Sequence, residues 1–227
     1  VYNDFFIGDN CDVVIVAGCG IDNCGNSNSE HDGIHRFFIG KNSKIKYVEK
    51  HYGSGDGMGK RILNPETVIE IGEDSYMEMD SVQIKGVDST KRLTTAKLAK
   101  GAKLEVMERI MTHGIQTAES RFEVELNGEN SSANVVSRSV ARESSHQLFV
   151  SNVIGNAKSS AHTEGDSINM EEAKISAHPE ITANNPDAAM IHEAAIGKIA
   201  GEQIIKLMTL GLTEAEAEEQ IVNGFLK

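Results

Sequence analysis

Tryptophan is absent from the 227 residues, and aromatic residues make up only 5% of them. A carbohydrate-binding groove, which stacks sugars on aromatic faces, has little to be built from. Basic residues are scarce too: 22 Lys and Arg stand against 34 Asp and Glu, for a formal net charge of −12. Such a chain repels phosphate backbones, and the longest basic run, at Lys91-Arg92, is no patch, so nucleic acid is not expected as a partner. No stretch approaches the ~20 apolar residues of a membrane span, and membrane insertion is not expected. No signal-peptide pattern opens the sequence, which starts at Val1 and not at Met; the expected location is cytoplasmic. Cysteine is rare and clustered, at Cys11, Cys19 and Cys24. An odd, clustered set reads as free thiols or metal ligands and not as a disulfide framework. With proline confined to Pro65, Pro179 and Pro186, residues 66–178 can carry an uninterrupted hydrogen-bonded ladder.

What is present is a repeat. "FFIGDNC" at 5–11 returns as "FFIGKNS" at 37–43 and as "IEIGEDS" at 69–75, two steps of 32. Weaker echoes follow around Gly101, Gly128 and Gly155, at a shortening period. Within each unit, runs such as "RFEVEL" (121–126), "YMEMDSVQI" and "KLEVMERIM" alternate apolar and polar residues with the period of a half-buried strand. Glycine followed by Asn, Asp or Ser supplies the turns. No segment before residue 186 sustains helical periodicity. Strand units repeated in series predict a β-solenoid, each coil burying its face on the next. A β-sandwich is the competing reading and would need turn signals every ~8–12 residues.

The C-terminus changes character. "GEQIIKLMTLG" (201–211) places Ile204, Ile205, Leu207 and Met208 on one helical face, with Gly211 as terminator. Thr213 to Glu216 then form a capping box with Leu212 before it, and Gly224 closes the second helix. The expected division is a β-helix core over 1–185 and a segment 186–227 ending in a helix pair, 201–211 and 213–224.

Four stretches bear chemistry. "HYGSGDGMGK" (51–60) imitates a phosphate loop, but Arg61 stands where a Walker loop needs Ser or Thr, and Asn64-Pro65 follows in place of a helix. It reads as a flexible turn between coils, and no nucleotide is expected to bind directly. Cys11, Cys19 and Cys24, followed by His31, His35 and His51, offer soft ligands for zinc, iron or a cluster, although no closed zinc motif is spelled out. Inert thiols are the alternative. His192-Glu193, in an otherwise apolar run, reads as a satisfied pair or as a metal or proton site, and Asn185-Pro186-Asp187 before it could start a helix. His162, Glu164 and Asp166 alternate along a further run and could be ligands or solvated groups.

Over nearly its whole length the chain resembles the SufB/SufD family of iron–sulfur cluster assembly scaffolds, especially short archaeal-type members. The resemblance rests on "VEKHYGSG", "QIKGVDSTKR", "VVSRSVA" and above all "HEAAIGKIAGEQIIKLMTLGLTEAEAEEQIVNGFL". It implies an all-β core, a right-handed parallel β-helix, with a small C-terminal α-helical subdomain. It also implies that the helices dock a SufC-type ATPase, with Ile205, Met208, Leu212, Ile221 and Phe225 as docking residues. Subunits would pair through their β-helices as a homodimer or a SufB/SufD-type heterodimer. ATP hydrolysis would belong to the partner, this chain having no catalytic turnover; it would hold a transient iron–sulfur cluster, with flavin binding left open. The family's "HEA" maps onto His192 and Glu193, which inherit the cluster or sulfur-handling role. Where scaffold members carry a persulfide-accepting cysteine before Asp-Ser, this chain has Gly165 before Asp166-Ser167. Either the N-terminal cysteines substitute, or the chain is a SufD-like structural partner, or the residue was changed. A β-helix carbohydrate-active enzyme is the more distant alternative.

Overall fold

Each alternating run forms a strand, and each Gly/Asn/Asp/Ser cluster forms a corner. The computed structural model describes residues 1–227 and contains fourteen strands. In chain order they are β1 (Tyr2–Ile7), β2 (Asp12–Asp22), β3 (Ser29–Ile39), β4 (Lys44–Ser54), β5 (Arg61–Ile71), β6 (Tyr76–Lys85) and β7 (Ser89–Leu98). Then come β8 (Lys103–Thr112), β9 (Thr117–Leu126), β10 (Ser132–Ala141), β11 (His146–Gly155), β12 (Ser160–Asn169), β13 (Lys174–Ala183) and β14 (Ala189–Gly197). Odd-numbered strands make one seven-stranded sheet and even-numbered strands the other, each in simple sequential order. The pairings are parallel, so the architecture is a seven-coil β-solenoid and not a hairpin sandwich.

Register explains the repeat. Ile7 pairs with Ile39, and Ile39 with Ile71, so the steps of 32 are coil lengths. Ile71 then pairs with Leu98, and Leu98 with Leu126. The shortening lies at one corner: the turns 23–28 and 55–60 give way to the tight turns 86–88 and 113–116. At the other corner Asn10, Asn42, Asp74 and Asn130 take φ between 51° and 60°, which their short polar side chains tolerate. Inward-facing residues such as Phe37, Tyr47, Ile69, Met79, Leu98 and Phe122 stack into one core. Each such burial contributes roughly 1.5–3 kcal/mol.

The glycine-rich turn is not the free loop expected. Gly57 N donates to Asn23 O (2.9 Å) and Gly59 N to Gly25 O (3.1 Å), so 55–60 lies backbone to backbone on the preceding corner. A Cβ on Gly59 would stand 1.9 Å from Ser27 O. The glycines answer a close approach between coils, a use that a sequence cannot distinguish from flexibility.

Strand pairing continues beyond residue 185: β14 pairs with β12 from Ala189 to Gly197, so the run holding His192 and Glu193 is a strand and not a helix. Two helices follow, α1 (Gly201–Met208) and α2 (Glu214–Phe225). The capping box is present, with Glu216 N donating to Thr213 Oγ1 and Thr213 N donating to Glu216 Oε2. Gly211 takes φ 99° between the helices, and α2 runs one residue past Gly224. Val222 and Leu226 pack on Val140 and Met170 of the solenoid, and Glu218 pairs with Arg142 at 3.2 Å. α1 buries no residue. No helix is long and apolar enough to cross a membrane.

Candidate functional site

Alternation along β4 turns Ile45, Tyr47, Glu49 and His51 to the interior. The first two join the apolar core. The next two bring a carboxylate and an imidazole into it, 1% and 3% exposed. Parallel pairing sets Cys19 of β2 directly beside His51 and Gln83 of β6 on its other side. Cys19 Sγ, a Glu49 carboxylate oxygen and a His51 ring nitrogen all lie within 4.8 Å of one another.

A hydrogen-bonded polar cluster extends from this trio along the inside of the coils. Tyr47 Oη donates to Glu49 Oε1 (2.8 Å), and His35 Nδ1 stands 2.6 Å from the same hydroxyl. Arg92 Nη2 donates to Glu49 Oε2 (2.9 Å), and Arg92 Nε lies 3.5 Å from Glu108 Oε1. Ser120 and Ser137 hydroxyls donate to the two Glu108 oxygens at 2.7 and 2.8 Å. Within this network His51 stands apart. Neither of its ring nitrogens makes a hydrogen bond, although Nε2 is 3.3 Å from Glu49 Oε1, and Gln83 Oε1 is likewise unpartnered. Leaving a buried polar group unmatched costs about 1–3 kcal/mol.

The electrostatics follow from burial and neighbours. Burial pushes the Glu49 carboxyl up, but the Arg92 guanidinium and the Tyr47 hydroxyl hold it below the usual carboxylate range. Burial, then the Arg92 charge, lowers His51 and keeps it neutral. Burial and the Glu49 charge raise the Cys19 thiol. The trio therefore presents a carboxylate, a neutral imidazole and a protonated thiol, a mixed O/N/S donor set suited to a borderline transition metal.

The other nominated thiols do not join it. Cys11 sits at a corner, its Sγ 3.6 Å from Asp9 O, and exposed Cys24 lies against Asp22 Oδ2 at 3.3 Å. Cys11 lies at the corner before β2, most of a strand length from Cys19, and the exposed Cys24 thiol turns to Asp22 at the other corner while Cys19 faces inward. Of the nominated metal residues Cys11, Cys19, Cys24 and His51, the structure brings together Cys19 and His51 and adds Glu49. The missed signal was parity: Glu49 continues the inward column begun by Ile45 and Tyr47.

A second group lies on the outer face of the even-numbered sheet. His162 Nε2 stands 3.8 Å from Glu193 Oε1, and His162 Nδ1 3.1 Å from Asn134 Oδ1. Glu164, in register with Glu193, has its carboxyl raised by a hydrogen bond with Asp166, by partial burial and by that neighbour's charge. His192 does not share this face. It is in register with interior Thr163, so it and Glu193 project to opposite sides of β14. Gly165 faces inward, and the Phe149 ring covers it, 2.9 Å from where a Cβ would be.

Among the residues nominated for docking, Ile205 and Met208 are exposed, while Leu212, Ile221 and Phe225 are half-buried. Phe225 packs against the Val140–Met170 cluster of its own chain.

A family model described as SUF system FeS cluster assembly, SufBD core domain, matches residues 5–225, from within β1 to the end of α2. The chain belongs to the SufBD family. It is 32% identical over 199 residues to an iron-sulfur cluster assembly SufBD family protein of Archaeoglobus fulgidus, covering 87% of this chain and 53% of that protein. A relative of the same description from Methanocaldococcus jannaschii is 31% identical over 190 residues, 83% of this chain and 60% of its own. One from Methanothermobacter thermautotrophicus is 28% identical over 230 residues, 99% of this chain and 54% of its own. The chain spans little more than half the length of these relatives.

Proposed function

We propose that this SufBD protein is a cytoplasmic scaffold subunit of a SUF-type complex, pairing with a like subunit and binding a SufC-type ATPase, with no catalytic turnover of its own. The observation that carries the reading is the extent of the family match, which runs from within β1 to the end of α2. Supporting the pairing, β13 and β14 end their sheets with open edges, and Ile191 and Ile196 of β14 are exposed. In support of the ATPase contact, Ile205, Met208 and Leu210 form an exposed apolar strip at α1, a helix that buries nothing in its own chain. Glu193, exposed beside His162 at such an edge, is the proposed protein ligand to the cluster under assembly; His192, on the opposite face, would act from the other side of the strand.

Anaerobic reconstitution with iron and sulfide, followed by visible absorption, tests the cluster role. If neither the purified protein nor its complex with the ATPase retains iron, the scaffold reading fails. Capture by the ATPase tests the docking surface: Ile205→Asp and Met208→Asp should abolish it at unchanged thermal stability, and Leu212→Asp should weaken it. Unchanged capture by all three would remove the helix pair from the interface.

A second reading has its own observation. Phe149 fills the space over Gly165, where scaffold members carry a cysteine, and this favours a SufD-like partner subunit without its own cluster.

A further inference from the structure

We propose that Cys19, Glu49 and His51 form an interior binding site for a single divalent transition cation of the Zn2+/Fe2+ class, distinct from the exposed Glu193 region. The inference is independent of the scaffold role.

Four observations carry it. First, His51 is 3% exposed and both its ring nitrogens lack a hydrogen-bond partner. A buried imidazole without partners is accounted for when one nitrogen coordinates a cation. Second, the spacing fits. His51 Nε2 and Glu49 Oε1 are 3.3 Å apart without hydrogen-bonding geometry. Two atoms bound tetrahedrally to one ion at about 2.0–2.1 Å lie about 3.3 Å from each other. The third donor, Cys19 Sγ, falls inside the same 4.8 Å envelope.

Third, the surroundings supply what a ligand set needs. Glu49 is oriented by Tyr47 on one oxygen and by Arg92 on the other. Gln83 is next to His51 in register on β6 and its Oε1 is an unpartnered acceptor, although no hydrogen bond joins the two. Outer partners such as those of Glu49 fix a ligand's orientation. Fourth, the interior cluster holds two carboxylates, Glu49 and Glu108, against one guanidinium, Arg92. A cation restores the balance, and more so once Cys19 gives up its proton to bind. Donor chemistry sets the class: thiolate, imidazole and carboxylate together favour zinc or ferrous iron over magnesium or calcium. Three protein ligands leave one position for water or an exchanging group. Entry is from the N-terminal end of the solenoid, where Cys19 on the first coil is half-buried.

Cobalt(II), a zinc substitute with visible bands when bound to thiolate, is the probe, added anaerobically to the purified chain without sulfide. One Co2+ per chain should bind, with a thiolate charge-transfer band. Cys19→Ser should abolish that band, and Tyr47→Phe should weaken binding by about 10–100-fold through the lost outer contact. His51→Leu should lose the metal while keeping the far-UV spectrum, since it removes an unpartnered polar group from the core. Cys11→Ser, Cys24→Ser and Glu193→Ala should bind normally. Absence of the band in the parent protein, its persistence in Cys19→Ser, or its loss in Cys24→Ser or Glu193→Ala would overturn the site. Failure here leaves sulfide-dependent cluster absorption and ATPase capture untouched, and their failure leaves cobalt binding without sulfide untouched.

Discussion

Arg92 reaches from β7 to Glu49 on β4 and places Nη2 2.9 Å from Oε2, inside a solenoid where both side chains are almost wholly shielded from water. The pair need not make the fold more stable than an apolar one would, because desolvating two charges offsets their attraction. Breaking it is another matter. Arg92→Met would leave Glu49 Oε2 without its charged donor, the Tyr47 hydroxyl remaining on Oε1, whereas Glu108 would keep its two serine donors. We expect a loss of about 3–5 kcal/mol in urea unfolding. Adding Glu49→Gln to Arg92→Met should recover part of it. Equal stability of Arg92→Met and the parent would mean the pair is not closed in solution.

Acid sensitivity should be written into the corner between β6 and β7. Asp88 accepts from Arg61 Nε (2.8 Å), Nη2 (3.0 Å) and backbone N (2.8 Å). Partial burial raises its carboxyl, but the Arg61 hydrogen bonds and charge outweigh that and leave it below its ordinary 3.8. A depressed folded-state value stabilises the native form above 3.8, and the benefit disappears as pH falls through the folded value. Asp88→Asn should therefore lower stability at neutral pH and flatten the acid limb of the stability profile. An acid limb of unchanged slope would assign that limb to other carboxylates.

The Gly57 and Gly59 amides, bonded to the preceding corner, should exchange slowly with deuterium. Gly59→Ala should cost about 1–3 kcal/mol, because the new methyl would run into the Ser27 carbonyl and the Asn23 side-chain amide. Fast exchange at both amides would restore the mobile turn that the sequence suggests.

These cases mark how far the sequence speaks. The coil length was legible because Ile7, Ile39 and Ile71 occupy one register column, and the capping box at Thr213 because it is a local rule. The β14 strand was obscured by Asn185-Pro186-Asp187, a helix-start pattern that here forms the corner before an edge strand. Cys19 and His51 were nominated by residue type alone. Glu49, Arg92 and Glu108 were missed because a charged residue in a strand is ordinarily read as solvent-facing. Parity says otherwise: Leu104, Val106, Glu108 and Ile110 alternate on one side, and that side is inward. The side-by-side placement of Cys19 and His51 depends on register between distant strands, which a single run does not encode.

Gly165 is the sharpest test of how interior space is used. It faces inward between Thr163 and Ser167, and the Phe149 ring leans over it, so a Cβ would stand 2.9 Å from ring carbon Cδ1. Gly165→Cys should cost about 1–3 kcal/mol through overpacking. Phe149→Leu opens that space at its own cost, so the double variant should be less unstable than the two single losses added together, a coupling of about 0.5–3 kcal/mol. Urea unfolding of the four proteins reads the coupling directly. Strict additivity would show that Phe149 does not occupy the space over Gly165, and the argument for a SufD-like subunit would go with it.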